Sequence, residues 1–266
     1  MTASDPSVSN GIGTRIARHD LHHIWVRDYD LTGELMGSVS FTAMIFLLIC
    51  GRLPADADRR LLDAILTSLV EHGLTPSAVA SRLTYAVAPE AIQGAVAAGL
   101  LGAGSVLLGS MEECGRLLTR IADETDQVSG AADQAGSAAA VAGQIVAECQ
   151  AGGRRIPGVG HSIHTEGDPR AARLFEIAAE CGRHGRHVEA MFTLATAAEQ
   201  AVGRPLPVNA TGAIAALLLE LGVPWRLHRG FALISRTAGL IAHIDEETYA
   251  PITPAVRTLL REQGPA

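Results

Sequence analysis

The sequence predicts an all-α protein. Of its 266 residues, 48% are hydrophobic but only 4% are aromatic, so a core must be built mainly from Ala, Leu, Val and Ile. Alanine-rich chains with few aromatic residues form packed helices more readily than β-sandwiches, which draw on β-branched and aromatic side chains. Apolar residues also recur at helical spacing, most clearly in the segment 55–73, where one face carries Leu61, Leu62, Ile65 and Leu69.

The same reading predicts further helices along the chain. A short extended piece and a turn occupy 19–37, and an apolar core helix follows over 38–50. The helix at 76–88 has Pro in its first turn, and the helix at 90–104 carries small residues that let another backbone approach closely. The remaining predicted helices are 109–123, 131–151, 169–183, 186–202, 210–221, 229–243 and 253–263.

The charge of the chain excludes several classes of function. A net charge of −7 and a pI near 5.8 argue against nucleic acid as a partner. All 21 basic residues are arginines, which excludes a Schiff-base or P-loop lysine and leaves arginine to bind any anion.

The cysteines and the N-terminus predict a cytoplasmic protein with no membrane partner. Cys50, Cys114, Cys149 and Cys181 show neither disulfide-framework nor metal-ligand spacing, which favours reduced, buried thiols. The N-terminus is polar and lacks the apolar core of a secretion signal. The apolar run at 41–50 is too short to span a bilayer.

The densest polar stretch is 154–175, RRIPGVGHSIHTEGDPRAARLF. Its glycines can bring backbone N–H groups close to a ligand, although an ordinary solvated loop is the alternative. The letters GDPR predict a helix start with Asp168 as the N-cap and Pro169 at the first position. Arg170 then lies in the first turn, where the helix dipole disfavours a cation, and this indicates a bound anion. The stretch lacks GxGxxG spacing, so a dinucleotide site is not predicted.

Histidines elsewhere have simpler explanations. Taken alone, His72 is expected to cap the C-terminus of a helix. No acidic or thiol partner completes a metal site, so none is predicted. The other assignments are an unliganded cluster for His19, His22 and His23, solvated side chains for His184 and His187, and a helix-end position for His243.

Several segments, taken in order, resemble the citrate synthase superfamily, most closely its short citryl-CoA lyase-like members. They are DLTGELMGSVSF, GRLP, EHGLTPSAVASRLTYAVAPEAIQGAVAAGLLGAGS, the 154–175 stretch, PVNATGAIAALLLELG and SRTAGLIAHIDEE. The resemblance runs from about 14 to 247 and implies a helical fold that assembles as a homodimer or larger homo-oligomer. It also implies a large domain formed by 14–111 and 213–266 and a smaller CoA-side domain at 112–212, whereas the polar residues 1–13 are predicted from the sequence itself to be a disordered tail.

The resemblance implies an enzyme that makes or cleaves a carbon–carbon bond between an acyl-CoA and a 2-oxo dicarboxylic acid. A coenzyme A thioester is then a substrate, and neither a metal nor a tightly bound cofactor is expected. Transferred position by position, the catalytic residues are His161, which donates to the ketone oxygen, and Thr211. The implied substrate-binding residues are His72, Arg170, Arg236, Asn209 and His164, and the implied coenzyme A contacts are Arg154, Arg155, Gly158 and Gly160.

Two departures from the family pattern affect the chemistry. The family carries its catalytic carboxylate in an Asn-Val-Asp motif, whereas this chain has Asn209-Ala210-Thr211. A positioned general base contributes about 10²–10⁴-fold to a rate, so its loss should nearly silence α-proton removal. A second family histidine aligns loosely with Leu107. The candidates to replace the base are Glu112, Glu113, His164 and water.

These departures leave two alternatives to the family reaction. One is a non-catalytic subunit that retains the dicarboxylate site. The other is altered chemistry, such as thioester hydrolysis or decarboxylative condensation. Decarboxylation of a malonyl-type thioester produces the enolate directly and needs no α-proton base.

Overall fold

A computed structural model describes residues 13–104, 108–128, 130–161 and 166–262. Within these ranges the prediction of an all-α protein is confirmed, because eleven α-helices account for most of the chain and the strands form one small sheet. The predicted tail at 1–13 lies outside the described residues except for Gly13.

The helices follow the predicted order closely, whereas three strands lie where the sequence predicted only a short extended piece and a turn. The strands are β1 (Ala17–His19), β2 (Ile24–Val26) and β3 (Tyr29–Asp30), followed by a π-helical turn at Leu31–Leu35. The helices are α1 (Phe41–Cys50), α2 (Asp56–Leu69), α3 (Pro76–Val87), α4 (Ile92–Leu101), α5 (Ser110–Asp126), α6 (Ala131–Ala151), α7 (Pro169–Glu180), α8 (Arg186–Val202), α9 (Ala210–Glu220), α10 (His228–Tyr249) and α11 (Thr253–Glu262).

The chain divides into two compact units, one up to Arg60 and one from Leu61 onward. In the first unit, β1, β2 and β3 form an antiparallel sheet in which Ala17 lies opposite Val26. A small core of Val26, Leu35 and Leu47 holds this unit together. The predicted partition into a large and a smaller inserted domain follows different boundaries and stays a prediction.

In the second unit, α3, α4 and α10 pack together, and α9 packs against α5, α7 and α8. The small residues of α4 allow the predicted close approach: a Cβ on Gly99 would lie 2.7 Å from Leu240 Cδ1. Helix α9 is apolar on every side, and its residues from Ala213 to Leu218 are fully buried. A helix that is hydrophobic all round lies inside a protein, so α9 forms the centre of its helical group.

Three predictions about helix ends and histidines were wrong. Helix α2 ends at Leu69 instead of residue 73, so His72 lies in the connection to α3 and does not cap a helix. His243 lies inside α10, which continues to Tyr249 because Glu247 pairs with Arg82 through Oε2 and Nε at 2.6 Å. His187 is buried, and its backbone N–H donates to Glu220 Oε1 at 2.7 Å.

The four cysteines were predicted to be reduced, buried thiols, and two of them are buried. Cys50, Cys114, Cys149 and Cys181 are all free, and the buried ones are Cys114 and Cys149. Within the described ranges, none of the helices combines the length and the apolar character that a membrane crossing requires.

His228, the first residue of α10, is fully buried. Its Nε2 lies 3.2 Å from the Val223 carbonyl oxygen, which can accept a hydrogen bond from a neutral ring. Burial lowers the pKa of His228 from 6.5 to about 4, because the interior disfavours the imidazolium form. His228 therefore stays neutral between about pH 4 and pH 6.5, a range in which an exposed histidine is protonated.

The His228→Gln variant tests this burial. His228 takes up a proton near pH 6.5 in the unfolded chain but only near pH 4 in the folded chain. The free energy of unfolding of the wild type should therefore fall as the pH drops from about 6.5 towards 4, by roughly 3 kcal/mol in total. Glutamine retains an N–H donor but does not titrate, so the pH slope between 6.5 and 5 should flatten. Urea unfolding followed by circular dichroism measures it, with exposed His22→Gln as the control. A slope that is equal in both variants would contradict the assignment.

Candidate active site

A cavity of about 220 Å³ in the second unit brings together six of the residues predicted from the sequence. They come from distant parts of the chain and are His72, His161, Arg170, Asn209, Thr211 and Arg236. The lining also includes Ser68, Thr75 and Ser77, which carry hydroxyl groups, and apolar residues such as Leu108, Met111 and Ile214.

The first turns of three helices contribute to this lining. Thr75 caps α3 by accepting the Ala78 N–H, Asp168 caps α7, and Asn209 caps α9 by accepting the Gly212 N–H at 3.1 Å. Helix N-termini carry a partial positive charge that favours anions. The cavity therefore lies at the positive end of α3, α7 and α9.

Asp168 is the residue that joins two of these helix starts. Its Oδ2 accepts the Ala210 N–H at 3.0 Å and the Arg170 Nη2–H at 2.9 Å, while its Oδ1 accepts the Arg170 N–H at 3.0 Å. Burial alone would raise the pKa of Asp168, but the hydrogen bonds from Arg170 and Ala210 outweigh it and lower the pKa to about 2. The carboxylate is therefore ionised and holds the starts of α7 and α9 together.

This contact also changes the interpretation of Arg170. The guanidinium lies in the first turn of α7, as predicted, but Asp168 supplies an internal counter-charge. Its position at a helix start therefore does not by itself require a bound anion. The Arg170 side chain keeps 32% of its surface exposed and lines the cavity, so it remains accessible to a ligand.

Arg236 is the more isolated of the two cations. It lies on α10 with 8% of its surface exposed, and its Nη1 is buried with no hydrogen-bond partner among the described residues. Burial lowers the pKa of Arg236, and the charge of Glu71 opposes this change. A buried cationic donor without a partner is costly, and an anion in the cavity would satisfy it.

His72 faces the positive groups of the cavity. Its surface remains solvent-exposed, yet desolvation by the surrounding protein lowers its pKa. The charges of Arg170, Arg236 and His161 lower the pKa further. His72 is therefore neutral at neutral pH and has one ring nitrogen to donate a hydrogen bond and one to accept.

Paired backbones position His161 next to the start of α9. The Gly160 N–H donates to the Pro207 carbonyl at 2.8 Å, and the Asn209 N–H donates to the Gly158 carbonyl at 3.0 Å. Asn209 Nδ2 also donates to the Gly160 carbonyl at 2.8 Å. The approach is tight because a Cβ on Gly158 would lie 3.0 Å from Gly212 Cα, and one on Gly212 would lie 2.4 Å from the Gly158 oxygen.

The residues assigned to coenzyme A do not line this cavity. Gly158 and Gly160 have φ values of 91° and 71° and form the turn that packs on α9. Arg154 and Arg155 are exposed, and Arg154 Nη1 lies 3.6 Å from Glu113 Oε1. The coenzyme A assignment of these four residues stays a prediction, and His164 and Leu107 lie outside the described residues.

Two candidates for a replacement base, Glu112 and Glu113, are engaged elsewhere. Glu112 pairs with Arg229 at 2.5 Å, and Glu113 accepts two hydrogen bonds from Arg116 at 2.7 and 2.9 Å. Neither belongs to the described lining of the cavity, where Asp168 is the one carboxylate and is fully bonded. Thr211 lines the cavity from the first turn of α9. Nor do the described residues contain a cluster suited to a metal ion.

One residue of the cavity lining and one contact beside the cavity were not found from the sequence. Thr75 precedes a helix-starting proline, a recognisable N-cap signal that could have indicated its position. Glu71 contacts His243 across 172 residues of chain, and no local pattern indicates such a pair.

The Asp168→Asn variant should be less stable than the wild type by about 2–3 kcal/mol, because a buried network of charge-assisted hydrogen bonds loses its acceptor charge. Thermal and urea unfolding measure the change. The exposed Asp245→Asn in α10 is the control and should lie within about 0.5 kcal/mol of the wild type. Equal stabilities for both variants would show that Asp168 does not hold α7 and α9 together.

Comparisons with known proteins identify the family. The profile of the citrate synthase C-terminal domain matches residues 40–257. Citryl-CoA lyase from Hydrogenobacter thermophilus is 33% identical with a TM-score of 0.77, covering 90% of this chain and 88% of that one. Citrate synthase from Haloferax volcanii is 23% identical over 216 residues, 79% of this chain, which spans about half (52%) of that protein.

Another solved structure shares the fold. ATP citrate lyase from Methanothrix soehngenii, in complex with citrate and coenzyme A, has a TM-score of 0.72 at 19% identity, covering 92% of this chain and 40% of that one. The profile match extends over most of the sequence, and the citryl-CoA lyase is similar along nearly its whole length. This chain therefore belongs to the citrate synthase family.

Proposed function

We propose that this protein makes or cleaves a carbon–carbon bond between the α-carbon of an acyl-CoA and a 2-oxo dicarboxylic acid. The observation that carries the proposal is the grouping of Arg170, Arg236, His72 and His161 in one cavity at three helix N-termini. The 33% identical citryl-CoA lyase, similar along nearly its full length, supports the same reaction class.

The two arginines are the groups that we assign to the acid. Guanidinium groups bind carboxylates through paired N–H donors, and Arg236 has a buried donor without a protein partner. A dicarboxylate has an anionic group for each arginine. The cavity, at about 220 Å³, is smaller than a typical drug-sized site, as suits a short diacid.

We assign the proton at the ketone oxygen to His161. In condensation the enolate carbon attacks the carbonyl carbon, the new carbon–carbon bond forms, and the carbonyl oxygen takes up a proton. Cleavage reverses these steps, so the same group removes the hydroxyl proton. Neutral His72 can hydrogen-bond the oxo acid without adding a third full charge beside Arg170 and Arg236.

A second candidate is decarboxylative condensation, favoured by Thr211. Thr211 cannot remove an α-proton near neutral pH, and the one carboxylate in the described lining is held by Arg170 and the α9 backbone. In a malonyl-type thioester the bond from the α-carbon to the carboxylate carbon breaks, carbon dioxide leaves, and the electron pair forms the enolate. This route needs no α-proton base.

We further propose a cytoplasmic homodimer or larger homo-oligomer. In support, an apolar groove between α4 and α10 carries Ile92 and Ile241, whose surfaces are 48% and 47% exposed. The four free cysteines agree with a reducing compartment.

Purified protein incubated with a panel of coenzyme A thioesters, with and without oxaloacetate, distinguishes these functions by product mass. Turnover of citryl-CoA or acetyl-CoA supports carbon–carbon bond chemistry of the family type. Turnover of malonyl-type thioesters alone supports the decarboxylative route. Binding of oxaloacetate without turnover of any thioester would contradict both enzymatic proposals.

Arg170→Ala and Arg236→Ala should each weaken oxaloacetate binding by about one to two decades, because a charge-assisted contact contributes roughly 1.5–3 kcal/mol. Isothermal titration calorimetry measures the affinity. The exposed Arg257→Ala in α11 is the matched control and should bind like the wild type. Wild-type affinity for oxaloacetate in both cavity variants would contradict the assignment of a dicarboxylate site.

Thr211→Asp tests whether a general base is what the cavity lacks. The variant places a carboxylate in the first turn of α9, where the helix dipole favours the ionised form. Acetyl-CoA-dependent condensation should rise, by at most the 10²–10⁴-fold or so that a general base contributes. Thr211→Asn adds a similar side chain without the charge and should give no increase.

The same variant separates the two routes. If the native reaction is decarboxylative, the new charge repels the carboxylate of the substrate and the native activity falls. Unchanged rates for both acetyl-CoA and malonyl-type thioesters would show that Thr211 does not face the acyl group.

A further inference from the structure

We propose that Glu71 and His243 form a positioning pair that fixes His72 and Arg236 relative to each other at the acid side of the cavity. Its consequence for substrate binding rests on the proposed function. Neither Glu71 nor His243 lines the cavity, so both act through the residues that do.

The first part of the argument is the turn that carries His72. A single carboxylate oxygen of Glu71, Oε1, accepts the backbone N–H of His72 at 2.7 Å and that of Gly73 at 2.6 Å. These contacts fix the backbone just after α2 ends at Leu69. The direction in which the His72 side chain projects from the backbone therefore depends on the position of the Glu71 carboxylate.

His243 holds that carboxylate from α10. Its Nε2 lies 3.0 Å from the same Oε1 of Glu71, and an ionised carboxylate only accepts, so Nε2 carries the hydrogen. Desolvation alone would raise the pKa of Glu71, but the hydrogen bonds from His243, His72 and Gly73 outweigh it and lower the pKa. The His243 side chain is only 12% exposed, whereas that of Glu71 is 44% exposed.

The second part of the argument is the face of α10 that meets this turn. Arg236, Gly239 and His243 are spaced three and four residues apart, so they lie along one face of the helix. A Cβ on Gly239 would lie 2.1 Å from the Val70 oxygen and 2.8 Å from Glu71 Oε2. The turn therefore lies directly on α10, with His243 on one side of Gly239 and Arg236 on the other.

The charge of Glu71 links the pair to both cavity residues. Arg170, Arg236 and His161 lower the pKa of His72, whereas Glu71 raises it. Glu71 also raises the pKa of Arg236. One carboxylate outside the cavity thus orients the His72 backbone and offsets the positive charge around His72 and Arg236.

The experiment compares His243→Ala, His243→Gln and Glu71→Gln, with the exposed Glu189→Gln of α8 as the control. Glutamine at position 243 can still donate an N–H to Glu71, so it should rescue what alanine loses. Glutamine at position 71 can still accept from the backbone but has no charge. The Glu71 variant also covers the case in which His243→Ala fails to fold.

The first readout is the NMR titration of His72 in ligand-free protein, assigned by the signal that disappears in His72→Gln. Glu71→Gln should lower the pKa of His72, because a charge that raises this pKa is gone. His243→Ala should change the chemical shift of His72, whereas His243→Gln and Glu189→Gln should leave it near the wild-type value. An unchanged His72 signal in both Glu71→Gln and His243→Ala would overturn the proposal.

The second readout is calorimetric binding of oxaloacetate and, separately, of coenzyme A. His243→Ala should weaken oxaloacetate binding by about threefold to tenfold, the range for loss of one hydrogen bond, and leave coenzyme A binding unchanged. Equal losses for both ligands, or no rescue by His243→Gln, would indicate a purely structural role and overturn the proposal. If wild-type protein binds no oxaloacetate, the proposed function fails, and the NMR titration still decides whether the pair exists.

Discussion

The buried carboxylate of Asp168 is the interaction on which the cavity depends. It caps α7, receives the first N–H of α9 and neutralises Arg170 with the same two oxygens. Each of these groups alone would be expensive to bury: a carboxylate, a cation and an unpaired backbone N–H. Together they satisfy one another, and this allows two helix starts and an arginine to converge beside a ligand site.

A second constraint comes from residues that have no side chain. A Cβ on Gly212 would lie 2.4 Å from the Gly158 oxygen and one on Gly239 would lie 2.1 Å from the Val70 oxygen, so neither glycine could carry a side chain without a backbone clash. These contacts bring His161 to α9 and the turn with His72 to α10. The segments that carry the reactive side chains are therefore held by close backbone-to-backbone contacts, which leave these segments little freedom to move.

Much of this arrangement could be predicted from the sequence, and the reason differs between its parts. The helices are indicated by local signals: apolar spacing in α2, the Asp-Pro pair that starts α7, and the apolar run of α9. Six cavity residues were identified by resemblance to the family, because their motifs keep the family order.

The end of α10 was misplaced since its last turn is held by Arg82, far away in the chain. Burial of His187 and His228 and the contact between Glu71 and His243 depend on tertiary packing, which leaves no local pattern.

The clash-limited contact between Gly158 and Gly212 also determines how the cavity can deform. Because the turn before His161 and the first turn of α9 are hydrogen-bonded and in close contact, we expect them to move together as one piece. His72 and Arg236 are carried by a different piece, made of α10 and the turn after α2. Any change in the width of the cavity should therefore occur between these two pieces, while the distance from His161 to Thr211 stays constant.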